Sequence, residues 1–205
     1  MIPNLVETYC LIDNLTRELD KKLKIKLSGR KSKLSRSEFL IIAVIKQNLG
    51  IKTNKSLYNL IKDCGKNYFS KLPSYQQFCI GLESNLYYLV VINTALTELN
   101  ACKKTDFFII DSTSLPICRN AYRSRSKLGK NIASSGKNMN GFYFGFKLHA
   151  IINDNMDIVA FKFTKGSVSD ITALDKKMVK NISGYLIGDK GYIGEKKARE
   201  LKKNN

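Results

Sequence analysis

The sequence predicts a chain in two parts, an all-helical first part followed by an α/β part. Three observations carry this. Apolar residues recur at helical spacing near the start, as in Leu5, Tyr9, Ile12, Leu15, Leu19 and Leu23. Past residue 104 the pattern changes to short apolar runs rich in β-formers, beginning with Phe107-Phe108-Ile109-Ile110. Two of these runs end in an aspartate, Asp111 and Asp189. The domains predicted are therefore residues 1–104 and 105–205.

In the first part, helical spacing spans residues 5–27, and the basic stretch Ser28–Lys33 breaks it. Ser35-x-x-Glu38 has the form of a capping box: the serine oxygen can accept an orphan N–H, and the glutamate can reach back. It opens the apolar run Phe39–Ile45, with Gly50 as the stop. A shorter helix is expected over Asn54–Cys64, ended by Gly65. Pro73-Ser74, with Ser74-x-x-Gln77, opens a long helix to about Asn100. Its most apolar segment, Leu86–Leu96, is expected to be buried. Helices joined by short basic turns suit a helix-turn-helix DNA reader and a plain bundle equally well.

In the second part, Phe107–Ile110 predicts a buried strand. Phe142–Ile152 alternates like a strand, Asn153-Asp154-Asn155 signals a turn, and Ile158–Phe163 returns as a hairpin. A helix is expected from Ser167–Asp170 to about Lys180, with Asp170 as its N-cap and Ile171, Leu174 and Met178 on one face. Tyr185–Gly188 is another short strand, and a helix over about Glu195–Lys203 closes the chain. A hairpin beside a first strand, then a crossover helix and a strand parallel to the first, is the opening of a ribonuclease H-like fold. On this reading the α/β part is an incomplete ribonuclease H-like core.

The net charge of +18 favours a polyanionic partner, nucleic acid first and an acidic membrane second. Its distribution says more than its size. No acidic residue lies between Asp111 and Asp154, whereas Arg119, Arg123, Arg125, Lys127, Lys130, Lys137 and Lys147 all do. Cations without intervening acids build a local field rather than a mixed solvated face. No apolar run approaches the roughly 20 residues that span a bilayer. The first ten residues lack a basic region and a cleavage site, so a cytoplasmic location without membrane attachment is expected. The five cysteines are widely spaced and have one histidine to join them, which argues against structural zinc and for reduced, mostly buried thiols.

If the first and last strands lie side by side, Asp111 and Asp189 converge. Two carboxylates that close cannot both stay ionised without a cation between them. Mg²⁺ suits such a site, because it takes one or two carboxylates together with substrate phosphate oxygens. His149 reads as a structural histidine. No Ser/His/Asp arrangement or phosphate-cradling loop is visible.

Four segments occur in order: Ile109-Ile110-Asp111-Ser112-Thr113, Phe142-Tyr143-Phe144-Gly145-Phe146-Lys147-Leu148-His149, Lys165-Gly166-Ser167-Val168-Ser169-Asp170-Ile171-Thr172-Ala173-Leu174 and Gly188-Asp189-Lys190-Gly191-Tyr192. Together they resemble the blocks of bacterial insertion-sequence transposases with a DDE catalytic triad. Leu34-Ser35-Arg36-Ser37-Glu38 and Leu72-Pro73-Ser74-Tyr75-Gln76-Gln77-Phe78 are similar to one subgroup, the insertion sequence 982 family. The resemblance implies that Asp111 and Asp189 are catalytic and bind metal, with two Mg²⁺ (or Mn²⁺) ions in the intact fold. It implies DNA, as element ends and target, for the partner, with a homodimer as an option and no small-molecule cofactor. Arg119, Arg123, Arg125, Lys127, Lys130, Lys137, Lys147 and Lys190 are the expected DNA contacts, and the helical part is expected to read DNA or dimerise. The third acid of such enzymes is a glutamate on a later helix, and Glu195 and Glu200 come too early for it. The chain is therefore expected to be a C-terminally truncated transposase, inactive in cleavage and strand transfer for want of that acid. The alternative is an inactive DNA-binding remnant, or an inhibitor of an intact transposase. Other rivals are a nuclease completed by Glu195 or Glu200, and a basic module for RNA or membrane.

Overall fold

The computed structural model describes residues 4–23, 31–65, 68–69, 71–103, 105–180 and 182–202. They fall in two compact units, Met1–Thr94 and Ala95–Asn205. The end of the first expected helix, past Leu23, and the start of the basic stretch after it lie outside the described residues, as does Lys203.

The first unit holds α1 (Leu5–Leu23), α2 (Arg36–Asn48), α3 (Asn54–Cys64) and most of α4 (Tyr75–Ala101). The local chemistry accounts for their ends. Ser35 accepts from the Glu38 N–H while the Ser35 N–H donates to Glu38, so both halves of the capping box form. Thr53 caps α3 by accepting from the Ser56 N–H at 3.1 Å. Gly50 follows α2 with a φ of +63°, the left-handed conformation that favours glycine at a helix stop. Leu34, Phe39, Ile42, Leu57, Ile61, Phe78 and Leu82 form the core. A polar joint ties α1, α2 and α4. Arg36 pairs with Asp20, lies 4.1 Å over the Tyr88 ring, and Tyr88 donates to Asp20 at 2.9 Å.

The Leu86–Leu96 segment departs from expectation. Within it only Tyr88 and Ile92 are buried, whereas Leu86, Tyr87 and Val90 are exposed. The helix buries one stripe and leaves apolar side chains on its other faces exposed. By length and composition α4 also meets the requirement for crossing a bilayer, though no single apolar run in the sequence does. The cysteines differ as well: Cys10, Cys64 and Cys102 are exposed, Cys79 and Cys118 half-buried, and all are free thiols.

The second unit is a mixed α/β domain. Its strands are β1 (Phe107–Arg119), β2 (Ser134–Asn138), β3 (Gly141–Asn153), β4 (Ile158–Lys165) and β5 (Tyr185–Gly188). β3 is central, with β1 on one side and β2 and β4 on the other, and β5 adds beyond β1. β1–β3 and β3–β4 are antiparallel, and β1–β5 is parallel. The hairpin turn forms where its signal predicts: Asn153 Oδ1 accepts from the N–H groups of Asn155 and Asp157 at 3.1 and 2.8 Å. Alternation sets the layers. Phe108 and Ile110 are buried, whereas Phe107 and Ile109 between them are exposed. The buried side carries the core with Ile151, Val159, Leu174, Met178, Ile182 and Tyr192.

Three elements depart from expectation, and the first is β2, where no strand was expected. β1 continues to Arg119, with a register shift between Pro116 and Cys118 that accommodates the proline's missing N–H. The helix expected to reach Lys180 is α5, only Asp170–Ala173. Lys162 and Asp175 explain the early stop. Lys162 Nζ donates to the Ala173 carbonyl at 3.2 Å and to Asp175 at 2.6 Å. Asp175 in turn accepts from the Met178 N–H at 3.0 Å, which folds the chain into turns instead of helix. Leu174 and Met178 still reach the core. The chain then forms α6 (Glu195–Lys202).

Candidate functional site: carboxylates beside two parallel strands

β1 and β5 set the geometry. Their register pairs Ile110 with Gly188; Asp111 is the next residue along β1, and Asp189 follows Gly188 just past the end of β5. Neighbouring strands are about 4.8 Å apart, which brings the two backbones side by side. Both aspartates are exposed. Each is oriented by a backbone N–H: Ser112 donates to Asp111 Oδ1 at 2.7 Å, and Gly191 donates to Asp189 Oδ1 at 2.9 Å. Asp189 thereby caps the single helical turn Lys190–Tyr192. Among the described residues neither carboxylate is in a salt bridge, so both keep oxygens free.

A third carboxylate belongs to the same neighbourhood, and sequence reasoning missed its role. Asp170 is the first residue of α5, not its N-cap; Ser169 holds the cap position. Asp170 Oδ1 accepts from Lys147 Nζ at 3.0 Å and from Ser112 Oγ at 3.2 Å. Its other oxygen faces Gly191. A methyl group on Gly191 would lie 3.1 Å from Asp170 Oδ2 and 3.0 Å from Asp189 Oδ1, so glycine is what lets the two carboxylates approach. The one available signal was the pattern of Lys147 and Asp170 in neighbouring motif blocks, which spacing alone does not pair.

Beneath the carboxylates lies a buried polar network. His149 is fully buried, with Nδ1 2.8 Å from the Tyr192 hydroxyl and Nε2 2.9 Å from Thr164 Oγ1. Burial holds its pKa below the usual 6.5, and Lys147 and Lys162 push the same way against Asp170. The ring is therefore neutral at pH 7, a structural histidine as the sequence suggested. The Tyr192 hydroxyl is pushed up to about 12, first by burial and then by the negative charges of Asp170, Asp111 and Asp189. All three carboxylates thus act on one phenol.

Among the expected DNA contacts, Arg119 ends β1, and Arg123, Arg125, Lys127 and Lys130 lie in the connection to β2. Lys137 is on β2, and Lys190 follows Asp189. All of these are exposed. Lys147 stands apart, because it is half-buried and paired with Asp170. Glu195 and Glu200 lie on α6, paired with Arg199 and Lys197 at 3.4 and 3.2 Å.

The donor set bears on metal. Among the described residues no group of three or more His, Cys, Asp or Glu is arranged as a metal cage. Two adjacent exposed carboxylates are hard oxygen donors, which fits Mg²⁺ or Mn²⁺ completed by water and phosphate oxygens rather than by protein alone.

The mixed α/β unit fits the family that the comparison names. A family model, the transposase DDE domain, matches residues 101–205. The match spans just over half of the chain, and the chain belongs to the transposase DDE domain family. Membership makes it a transposase relative, with DNA as the substrate the family implies and divalent metal ions as the general cofactor of such domains. No curated protein and no solved structure matches it significantly.

Proposed function

We propose that this chain is an insertion-sequence transposase in which Asp111 and Asp189 hold divalent metal for DNA cleavage and strand transfer. The observation that carries the reading is that each directly follows a residue of the register-paired Ile110–Gly188 on the parallel strands β1 and β5, with no salt-bridge partner among the described residues. An ion bound there would neutralise phosphate charge and activate a water or 3′-hydroxyl. The chain's own residues do the rest. Ser112 and Gly191 orient the two carboxylates, and the exposed cations Arg119, Arg123, Arg125, Lys127, Lys130, Lys137 and Lys190 grip phosphates without reading sequence. The strand order, with β5 parallel to β1 and a β3–β4 hairpin, supports a ribonuclease H-like core over residues 105–205. Residues 1–104 form the DNA-reading or dimerising part, the motif blocks favour the insertion sequence 982 subgroup, and the protein works in the cytoplasm.

A second reading is favoured by one observation. No glutamate among the described residues joins the two aspartates, since Glu195 and Glu200 are engaged on α6. On that reading the 205 residues bind DNA without joining it and inhibit an intact relative. A strand-transfer assay with Mg²⁺ or Mn²⁺ separates the two. Joining that disappears in Asp111→Ala supports catalysis; retention of DNA without joining supports the remnant; joining that persists in Asp111→Ala overturns the assignment of Asp111.

A further inference from the structure

The β2–β3 hairpin carries side chains that a phosphate grip does not need. Its turn residue Met139 is wholly exposed, at 104% of the reference area, and Phe142 at the start of β3 is 64% exposed. Lys137 Nζ sits 5.6 Å from the Phe142 ring centroid, which stacks a cation on an outward aromatic. Leu128 and Ile132, in the preceding connection, are also outward at 72% and 63%. The turn itself is fixed. Asn138 Oδ1 accepts from the Asn140 N–H at 2.9 Å, and Asn138 Nδ2 donates to Ser114 Oγ on β1 at 2.8 Å. Ser114 lies three residues after Asp111 on the same strand, about 10 Å along it at ordinary strand rise. The hairpin is thus an ordered finger tethered to β1 at Ser114, past Asp111 on the same strand, and the sequence around it from Ser112 to Asn153 has no acidic residue.

We propose that the β2–β3 hairpin is a DNA wedge: Met139 and Phe142 contact unstacked bases along the bound duplex while Lys137 and the neighbouring cations hold the phosphates. Charge selects the occupant, because acid-free cations attract a polyanion, and the bases are its apolar part. Unbranched or aromatic side chains inserted at base steps are a general way to hold distorted duplex, and stacking on an aromatic tolerates any sequence. The proposal rests on the DNA reading above and adds the form of DNA preferred, duplex with an opened step.

The test uses the full chain and two 30-base-pair duplexes, one intact and one with a central two-base mismatch, each carrying 2-aminopurine at the centre. The expected result is tighter binding to the mismatched duplex by about fivefold, with a rise in 2-aminopurine fluorescence on binding. Met139→Ala and Phe142→Ala should each erase most of that preference and the fluorescence rise, while intact-duplex affinity changes little. Lys137→Ala should weaken both duplexes alike. Both apolar sites are exposed, so the variants should fold, and circular dichroism checks this. Mismatch preference and fluorescence that survive in Met139→Ala/Phe142→Ala overturn the wedge while leaving DNA binding intact. Absence of any DNA retention overturns both the wedge and the DNA reading. Retention on phosphatidylserine vesicles that Met139→Ala abolishes, with the DNA signals unmoved, reassigns the finger to a membrane surface.

Discussion

Lys147 Nζ and Asp170 Oδ1 lie 3.0 Å apart, joining β3 to the start of α5. Both side chains are mostly buried, at 17% and 23% exposure. Removing either charge leaves the other unanswered. Asp170→Asn or Lys147→Met should each cost about 2 kcal/mol, less than the roughly 3–5 kcal/mol of a fully buried pair because both keep some solvent. Urea unfolding measures this. The double variant should cost clearly less than the two singles together, and simple additivity would contradict the pairing.

The same pairing separates Lys147 from the exposed cations. Arg125→Ala or Lys130→Ala should each flatten the dependence of log affinity on log salt by about 0.9, the value for one phosphate contact on duplex DNA. Lys147→Met, measured well below its melting temperature, should leave the slope unchanged. A slope that flattens equally for Lys147 would mean that it leaves Asp170 to hold phosphate.

His149 makes stability depend on pH. Its folded pKa is below 6.5, so as pH falls through 6.5 the unfolded chain takes up a proton that the folded chain refuses. Its contribution is therefore intact above 6.5 and is lost as pH falls toward the lower folded value. Thermal melts between pH 7.5 and 5 should show a falling melting temperature, in this range steeper for the native chain than for His149→Gln. Parallel curves would show that the ring already carries its proton in the folded state.

Gly191 is the point of closest approach. The methyl of Gly191→Ala would press on Asp189 Oδ1 and Asp170 Oδ2 at 3.0 and 3.1 Å, inside ordinary contact. The substitution should cost about 1–3 kcal/mol as overpacking and move one carboxylate. An unchanged melting temperature would mean that the turn Lys190–Tyr192 relaxes freely.

Tyr88 tests the helical unit. Its hydroxyl, raised to about 12 first by burial and then by the hydrogen bond to Asp20, joins α4 to the Asp20–Arg36 pair. Tyr88→Phe keeps the ring under Arg36 and should cost about 1 kcal/mol in urea unfolding. A loss near zero would show that the hydrogen bond adds nothing to the ring contact.

The elements most legible in sequence were those governed locally. Ser35 and Glu38, Gly65, and Asn153 in its turn act within four residues, and the helices and hairpin they bound fall where their signals do. The parallel pairing of β1 with β5 was legible from the strand order, and Asp189 follows the end of β5 as its apolar run suggests, whereas Asp111 lies inside β1, which runs on to Arg119. What was not legible depends on distant partners. α5 stops because Lys162, on β4, takes the Ala173 carbonyl. β2, Ser134–Asn138, has no β-forming composition and exists only because β3 offers an edge. Asp170 reads locally as a helix start, and its link to Lys147 appears only once β3 is laid beside α5. The outward residues of α4 were misjudged for a related reason, since apolar sequence sets what can be buried but not how much of it finds a partner.

The central claim is that Asp111 and Asp189 together hold divalent metal, and Mn²⁺ titration followed by electron paramagnetic resonance tests it most directly. With duplex DNA present, the native chain should bind Mn²⁺, and Asp111→Asn and Asp189→Asn should each weaken that binding by about tenfold or more while the fold is kept. Mn²⁺ affinity unchanged in the Asp111→Asn/Asp189→Asn double variant would contradict the account.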